Sequence, residues 1–200
     1  MVNEFFRYYK PRSLVAVLVF TGILFYAGNS IISNRLGINI SIIGVIIGLL
    51  VMIDKYWWRK GWFRWLFWSI DLEGEYEGEI YFDDPLTGLE TRKDAVIQIF
   101  QTGSSIKLVS TFGNGEELEY SKSKSLQASL VKDEHGHYSL VFTYRNEGNQ
   151  KLNFNPHYGT NIYEVLESPS EPKRLEGFYY TNRAPKQTKG TIRVQLKSNK

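Results

Sequence analysis

The sequence predicts an N-terminal transmembrane α-helical hairpin followed by an all-β domain, an antiparallel meander barrel of about eight strands. Three observations carry this expectation. Two uncharged apolar runs, residues 14–32 and 38–53, lie before residue 70. Beyond residue 72 the pattern changes to the period-two alternation of strands. Turn residues then recur at nearly even spacing. The chain therefore divides into a membrane anchor, residues 1–69, and a β-domain, residues 70–200.

Residues 1–12 carry Arg7, Lys10 and Arg12 against Glu4. The first apolar run follows, near the length of about 20 residues that crosses a bilayer core as a helix. A polar turn around Arg35 and Gly37 leads into the second run. The predicted membrane helices cover residues 13–33 and 38–56. A cleaved signal peptide also fits the basic start and apolar middle. No small-x-small cleavage site follows Tyr26, however, and the second run would remain an anchor. A pair of soluble core helices would show a polar face at period 3.6, and neither run does.

Lys and Arg set the orientation. Arg7, Lys10 and Arg12 flank the first helix, Lys55, Arg59, Lys60 and Arg64 flank the second, and the turn between them has Arg35. The positive-inside rule puts both termini and the β-domain in the cytoplasm. Tyr56, Trp57, Trp58, Arg59 and Lys60 open an aromatic and basic stretch that runs to Trp68. It fits a membrane interface, either as a helix against anionic lipid or as a plain aromatic belt. Gly44 and Gly48 form a G-x-x-x-G, the spacing that lets helices approach closely and self-associate. Neither apolar run contains Asp, Glu, Lys or Arg, which argues against a proton relay or a single-chain transporter.

Strands are predicted at residues 72–83, 92–102, 104–112, 117–132, 137–147, 157–167, 173–182 and 190–197. Turn signals separate them: Asp83, Asp84, Pro85 and Gly88, then Gly103, then Gly113, Asn114 and Gly115, then Gly136, then Gly148 and Asn149, then Pro169 and Pro172. Closure into a barrel removes the two sheet edges. Alternation assigns an interior face: Leu72, Gly74, Tyr76, Gly78, Ile80 and Phe82 in the first strand; Tyr138, Leu140, Phe142 and Tyr144 in the fifth; Leu175, Gly177, Tyr179, Thr181 and Arg183 in the seventh. Around eight strands leave an interior that is filled by side chains or holds one small ligand. Tyrosines that simply pack, with hydroxyls satisfied at the barrel ends, fit this pattern as well as a ligand cup does.

Other functions are disfavoured. The 24 Lys and Arg against 21 Asp and Glu give a net charge of +3, too small to argue for a nucleic-acid polymer as partner. The absence of Cys excludes disulfides, thiolate metal sites and a cysteine nucleophile. His135 and His137 sit in a predicted turn without the further ligands of a metal site. Asp83 and Asp84 read as turn residues before Pro85. No phosphate-binding loop, nucleophile elbow, zinc-protease helix or dinucleotide loop is present. No catalytic residue, metal or cofactor is expected.

Binding chemistry is better represented. Tyr179, Tyr180, Thr181, Asn182 and Arg183 bring stacking rings, a hydroxyl, an amide and a cation to the end of one strand. Bases stack on aromatic rings, and phosphates prefer the planar fork of Arg. The first-strand stretch, residues 71–78, reads Asp-Leu-Glu-Gly-Glu-Tyr-Glu-Gly, and residues 175–181 echo it as Leu-Glu-Gly-Phe-Tyr-Tyr-Thr. By this echo Tyr76 and Tyr179 are expected to face one cavity.

The order of these features resembles the CD-NTase-associated protein 15 family, the two-transmembrane, β-strand-rich effectors of bacterial CBASS anti-phage systems. The resemblance rests on the two short N-terminal apolar runs, the aromatic-basic belt, the opening D-L-x-G-x-Y-x-G and the late segment 175–183 followed by Gly190, Thr191 and Ile192. It implies a membrane-anchored receptor whose barrel binds a cyclic dinucleotide made by a partner CD-NTase. It further implies that binding promotes homo-oligomerisation, that the assembled helices disrupt the bilayer, and that the outcome is abortive infection. On chemical grounds the ligand-binding residues are expected to be Tyr76, Tyr144, Tyr179, Thr181, Asn182 and Arg183. The alternative is a tethered barrel that holds lipid or another small apolar ligand, with a structural role.

Overall fold

The computed structural model describes residues 5–36, 41–84, 87–113, 121–148, 155–168, 170–183 and 187–197, with the backbone alone at 30–36. The predicted turn residues Gly37, Pro85, Asn114, Gly115, Asn149 and Pro169, and the expected element starts at 38–40 and 117–120, lie outside the described residues. The chain forms two compact units. One is Met1–Asp71 with Thr102–Ser105; the other is Leu72–Gln101 with Ile106–Lys200.

The first unit begins with helix α1 (Pro11–Leu36). Pro suits a first helical turn, where its missing N–H has no partner to lose. Its segment Pro11–Asn29 is long and apolar enough to cross a membrane. Helix α2 (Ile42–Met52) starts at Ser41, whose hydroxyl accepts the Gly44 N–H. Eleven residues make about 16 Å of helix, about half of a bilayer core. The chain then widens into a π-helix, Ile53–Trp57, so the α-helical part is shorter than the predicted 38–56. A short helix α3 (Gly61–Arg64) follows.

Aromatic packing holds this unit together. Lys10 N donates to Leu66 O at 2.7 Å and Trp68 N to Tyr8 O at 3.0 Å. The rings of Tyr8 and Trp68 meet edge-on, and those of Tyr9 and Phe67 lie 4.4 Å apart. Trp58, expected at the membrane interface, is instead buried, because the Phe67 ring and the guanidinium groups of Arg59 and Arg64 cover it. Trp57 stacks on Phe63. Tyr56 and Lys60 are exposed, as are Trp62 and Trp65, and Arg59 pairs with Asp71 at 3.2 Å. Gly44 and Gly48 are both exposed.

The second unit is a closed antiparallel barrel of eight strands in meander order. They are β1 (Gly74–Asp83), β2 (Glu90–Gln101), β3 (Ile106–Gly113), β4 (Ser121–Lys132), β5 (Tyr138–Asn146), β6 (His157–Ser168), β7 (Glu171–Thr181) and β8 (Lys189–Leu196). The seam is β1 on β8, with Gly78 opposite Val194. Two interior glycines mark where backbones press together. A Cβ on Gly78 would strike Arg193 O, and one on Gly177 would strike Ile162 O.

The inward rows match the alternation. Leu72, Tyr76, Leu140, Tyr163 and Leu175 are fully buried, while Glu73, Glu77, Glu164 and Arg193 point out. The β1 amino-end half of the interior is an apolar plug of Tyr76, Ile97, Ile99, Leu108, Leu140 and Leu175. Gln101 seals it by accepting the Leu72 N–H at 2.7 Å. Towards the other end polar inward residues such as Ser123, Asn146, Asn161 and Thr181 join Ile80, Phe82 and Phe112, and there the interior opens.

Candidate ligand site

The open end encloses a cavity of about 360 Å³. This lies within the usual size of small-ligand sites. Its walls come from all eight strands. Tyr144 on β5, Tyr163 on β6 and Tyr179 on β7 supply the aromatic surface. Two glycines let two of these rings lie flat on the wall: a Cβ on Gly159 would overlap the Tyr144 hydroxyl, and one on Gly190 would overlap the Tyr179 ring. Burial raises the hydroxyl pKa of all three tyrosines, so each stays a neutral phenol.

Cations gather around the rim. Arg183 follows the end of β7, His157 begins β6, and Lys93 stands on the inward row of β2. The Lys93 ammonium lies 5.6 Å from the centre of the Phe82 ring. Burial first, and Arg183 second, lower its pKa, with Asp84 acting in the opposite sense. Burial likewise lowers His157, and Arg183 adds to this. The hydrogen bond from His157 Nδ1 to the Asn155 carbonyl, at 3.2 Å, offsets part of that shift. Arg183 thus disfavours the charged forms of both Lys93 and His157, and an anion beside them would favour those forms.

Tyr144, Tyr179, Thr181 and Arg183 are thus brought together, as expected from the sequence. Thr181 is buried, and its hydroxyl is engaged with Thr188, at 2.6 Å from Oγ1 and 3.1 Å from the backbone N. It closes the β7–β8 end and adds little free hydrogen-bonding capacity. Asn182 does not line the cavity. Its Oδ1 accepts the Tyr158 N–H at 2.8 Å and its own N–H donates to Tyr158 O at 2.9 Å, pinning β7 to β6. Tyr76 does not line it either. Its hydroxyl donates to Leu72 O at 3.1 Å inside the plug. The register explains why: Tyr179 pairs with Gly190, and Gly190 pairs with Phe82, six residues beyond Tyr76 along β1. That is about 20 Å of strand. The expected sharing of one cavity by Tyr76 and Tyr179 does not occur.

Residues 70–196 match the model of a known family, Cap15, cyclic dinucleotide receptor domain. The match covers every strand of the barrel, from before β1 to the end of β8. The chain belongs to this family. No curated protein matches the chain. The family match leaves out residues 1–69, which hold the helices of the first unit.

Lys93, His157, Asn161 and Tyr163 line the cavity and were not among the expected site residues. The signal for them was present. Period two places Lys93 in the inward row with Ala95 and Ile97, and places His157 and Asn161 in the inward row with Tyr163. Elsewhere, Asp133 accepts the N–H groups of His135 and His137, so that turn is capped by its own carboxylate. Asp84 accepts from Thr87 and Gly88 in the turn after β1. Among the described residues no cluster of three His, Asp or Glu could hold a metal.

Proposed function

We propose that this chain is a membrane-anchored cyclic-dinucleotide receptor and effector of bacterial anti-phage (CBASS) defence. The observation that carries the reading is the meeting of tyrosine rings with Arg183, Lys93 and His157 in the cavity of a family receptor domain. A cyclic dinucleotide offers flat bases for the rings and two phosphates for the cations. The chain acts by binding and assembly, without turnover, and its ligand comes from a partner nucleotidyltransferase.

In this reading α1 and the run containing α2 cross the inner membrane as a hairpin, and both termini and the barrel are cytoplasmic. The exposed apolar surface of α1, with Phe20, Ile23 and Leu24, supports a lipid-facing helix. Gly44 and Gly48 support helix packing between copies: a Cβ on Gly48 would meet nothing within 4 Å, and one on Gly44 only Ser41. Confinement to a plane raises the effective concentration of the domains. A ligand that favours the assembled state then needs only a few kcal/mol to shift the population. The assembled helices disrupt the bilayer and the infected cell dies.

The test is calorimetry on the full chain in detergent with a set of cyclic dinucleotides. Arg183→Ala is expected to weaken binding; unchanged affinity removes Arg183 from the site. Mass spectrometry of small molecules that co-purify with the native protein separates this reading from a lipid-holding barrel. In cells that make the ligand, Gly44→Ile or Gly48→Ile is expected to spare binding and reduce toxicity. Persistent toxicity would mean that this helix face is not the assembly surface.

A further inference from the structure

We infer that Asn161 discriminates between nucleobases, by hydrogen bonding to the edge of a base held inside the barrel. The inference rests on the receptor reading above and goes beyond it by assigning base selection to one side chain.

Asn161 stands in the inward row of β6, between Phe142 of β5 and Tyr179 of β7. It is only 3% exposed. Its Nδ2 donates to the Tyr163 hydroxyl at 2.5 Å, and its Oδ1 has no hydrogen-bond partner. A buried amide oxygen without a partner is costly, and most buried polar groups avoid that state. Other buried polar side chains of the wall are occupied. Asn146 donates to Ser121 and Ser123 and accepts from Gly148 N. Thr181 and Thr188 bond to each other. Those groups hold strands together. Asn161 keeps its acceptor for something in the cavity it lines.

The chemistry of that acceptor selects the ligand group. A phosphate oxygen is itself an acceptor and finds nothing in Oδ1, so the phosphates belong with the cations at the rim. A base edge carries N–H donors. The bond to Tyr163 orients the amide and uses one of the two Nδ2 hydrogens. A carboxamide offers an acceptor next to a donor, the pair with which Asn reads a base edge in nucleic acids. Bases differ in how donors and acceptors alternate along their edges. The tyrosine faces stack on any base, and cations grip phosphates whatever base is attached. Discrimination therefore falls to the buried amide, which sets an acceptor beside a donor, whereas a phenol hydroxyl of Tyr144 or Tyr179 turns to suit either kind of group.

The experiment measures affinities of the full chain in detergent for cyclic di-AMP, cyclic di-GMP and cyclic di-UMP. The unaltered chain is expected to rank them over at least about ten-fold. Asn161→Leu, similar in size and apolar, is expected to compress that spread to about three-fold, mainly by weakening the favoured ligand. Arg183→Ala is expected to weaken all three with the ranking kept. Tyr163→Phe keeps the ring and removes the hydroxyl that orients the amide. It narrows the spread part-way, and it decides the matter should Asn161→Leu fail to fold. An unchanged ranking in the folded variants overturns the inference and leaves the receptor reading standing. A spread below about three-fold in the unaltered chain does the same. Failure of the unaltered chain to bind any cyclic dinucleotide overturns both.

Discussion

Tyr76 and Tyr179 each follow a buried leucine by four residues and a glycine by two, and both point into the same barrel. One is a structural plug, with its hydroxyl spent on Leu72 O. The other lines an open cavity beside Arg183. The two environments differ in what surrounds the rings. Around Tyr76 the inward positions are Ile97, Ile99 and Leu108; around Tyr179 they are Asn161, Thr181 and Lys93. The same alternating backbone thus gives stability at one end and recognition at the other. Depth along the barrel decides which role a tyrosine takes.

That contrast is open to attack at both ends. The largest effect is expected from Tyr76→Ala, which removes a fully buried aromatic ring and costs about 4 kcal/mol of stability in denaturant unfolding. Ligand affinity of the molecules that remain folded should not change. If affinity falls as well, plug and cavity are one coupled structure. Arg183→Ala is the converse case. It should weaken cyclic-dinucleotide binding by ten-fold or more, as expected for a charge-assisted bond of about 1.5–3 kcal/mol, and shift stability by no more than about 0.5 kcal/mol.

A smaller effect is expected with pH. Burial and Arg183 disfavour the protonated form of His157 in the free protein. A phosphate at the rim favours that form, so binding takes up a proton and affinity rises as pH falls from 8 towards 6. The limit is about ten-fold per pH unit for one proton. His157→Gln should flatten the profile; a slope that survives in the variant belongs to another group. Smallest of all is Tyr144→Phe. It should leave the melting temperature nearly unchanged and weaken binding by about three-fold, the value of one neutral hydrogen bond. A loss as large as that of Arg183→Ala would mean the hydroxyl meets a charged group.

Much of the barrel was legible because its interior obeys period two. The eight strands and the inward face of Leu72, Leu140 and Leu175 follow from local alternation. The site was only partly legible. Residues 179–183 are dense in ligand-like groups, but Thr181 and Asn182 spend them on holding strand ends together. Asn161 and Lys93 bring polar groups to the cavity wall from strands that otherwise look ordinary. The depth of Tyr76 could not be read from its own strand, because it depends on how β1 is staggered against β8 and β7. In the first unit, an aromatic belt has the same composition whether it meets lipid or folds back on itself. The burial of Trp58 shows that here part of it does the latter.

The seam between β1 and β8 has a consequence for biosynthesis. Every other strand pair joins neighbours in sequence, whereas the seam joins Tyr76–Phe82 to Gly190–Leu196. At roughly 5–20 residues per second, β1 leaves the ribosome on the order of 10 seconds before its last partner exists. Throughout that interval a growing sheet has two open edges, and with many copies being made such edges pair with each other. Closure then has to bring the backbone of Arg193 against Gly78, where any side chain would stand in the way. The 8 residues of β8 therefore act as a latch on the nascent chain. Until they arrive, seven strands are an aggregation hazard; afterwards they enclose a cavity.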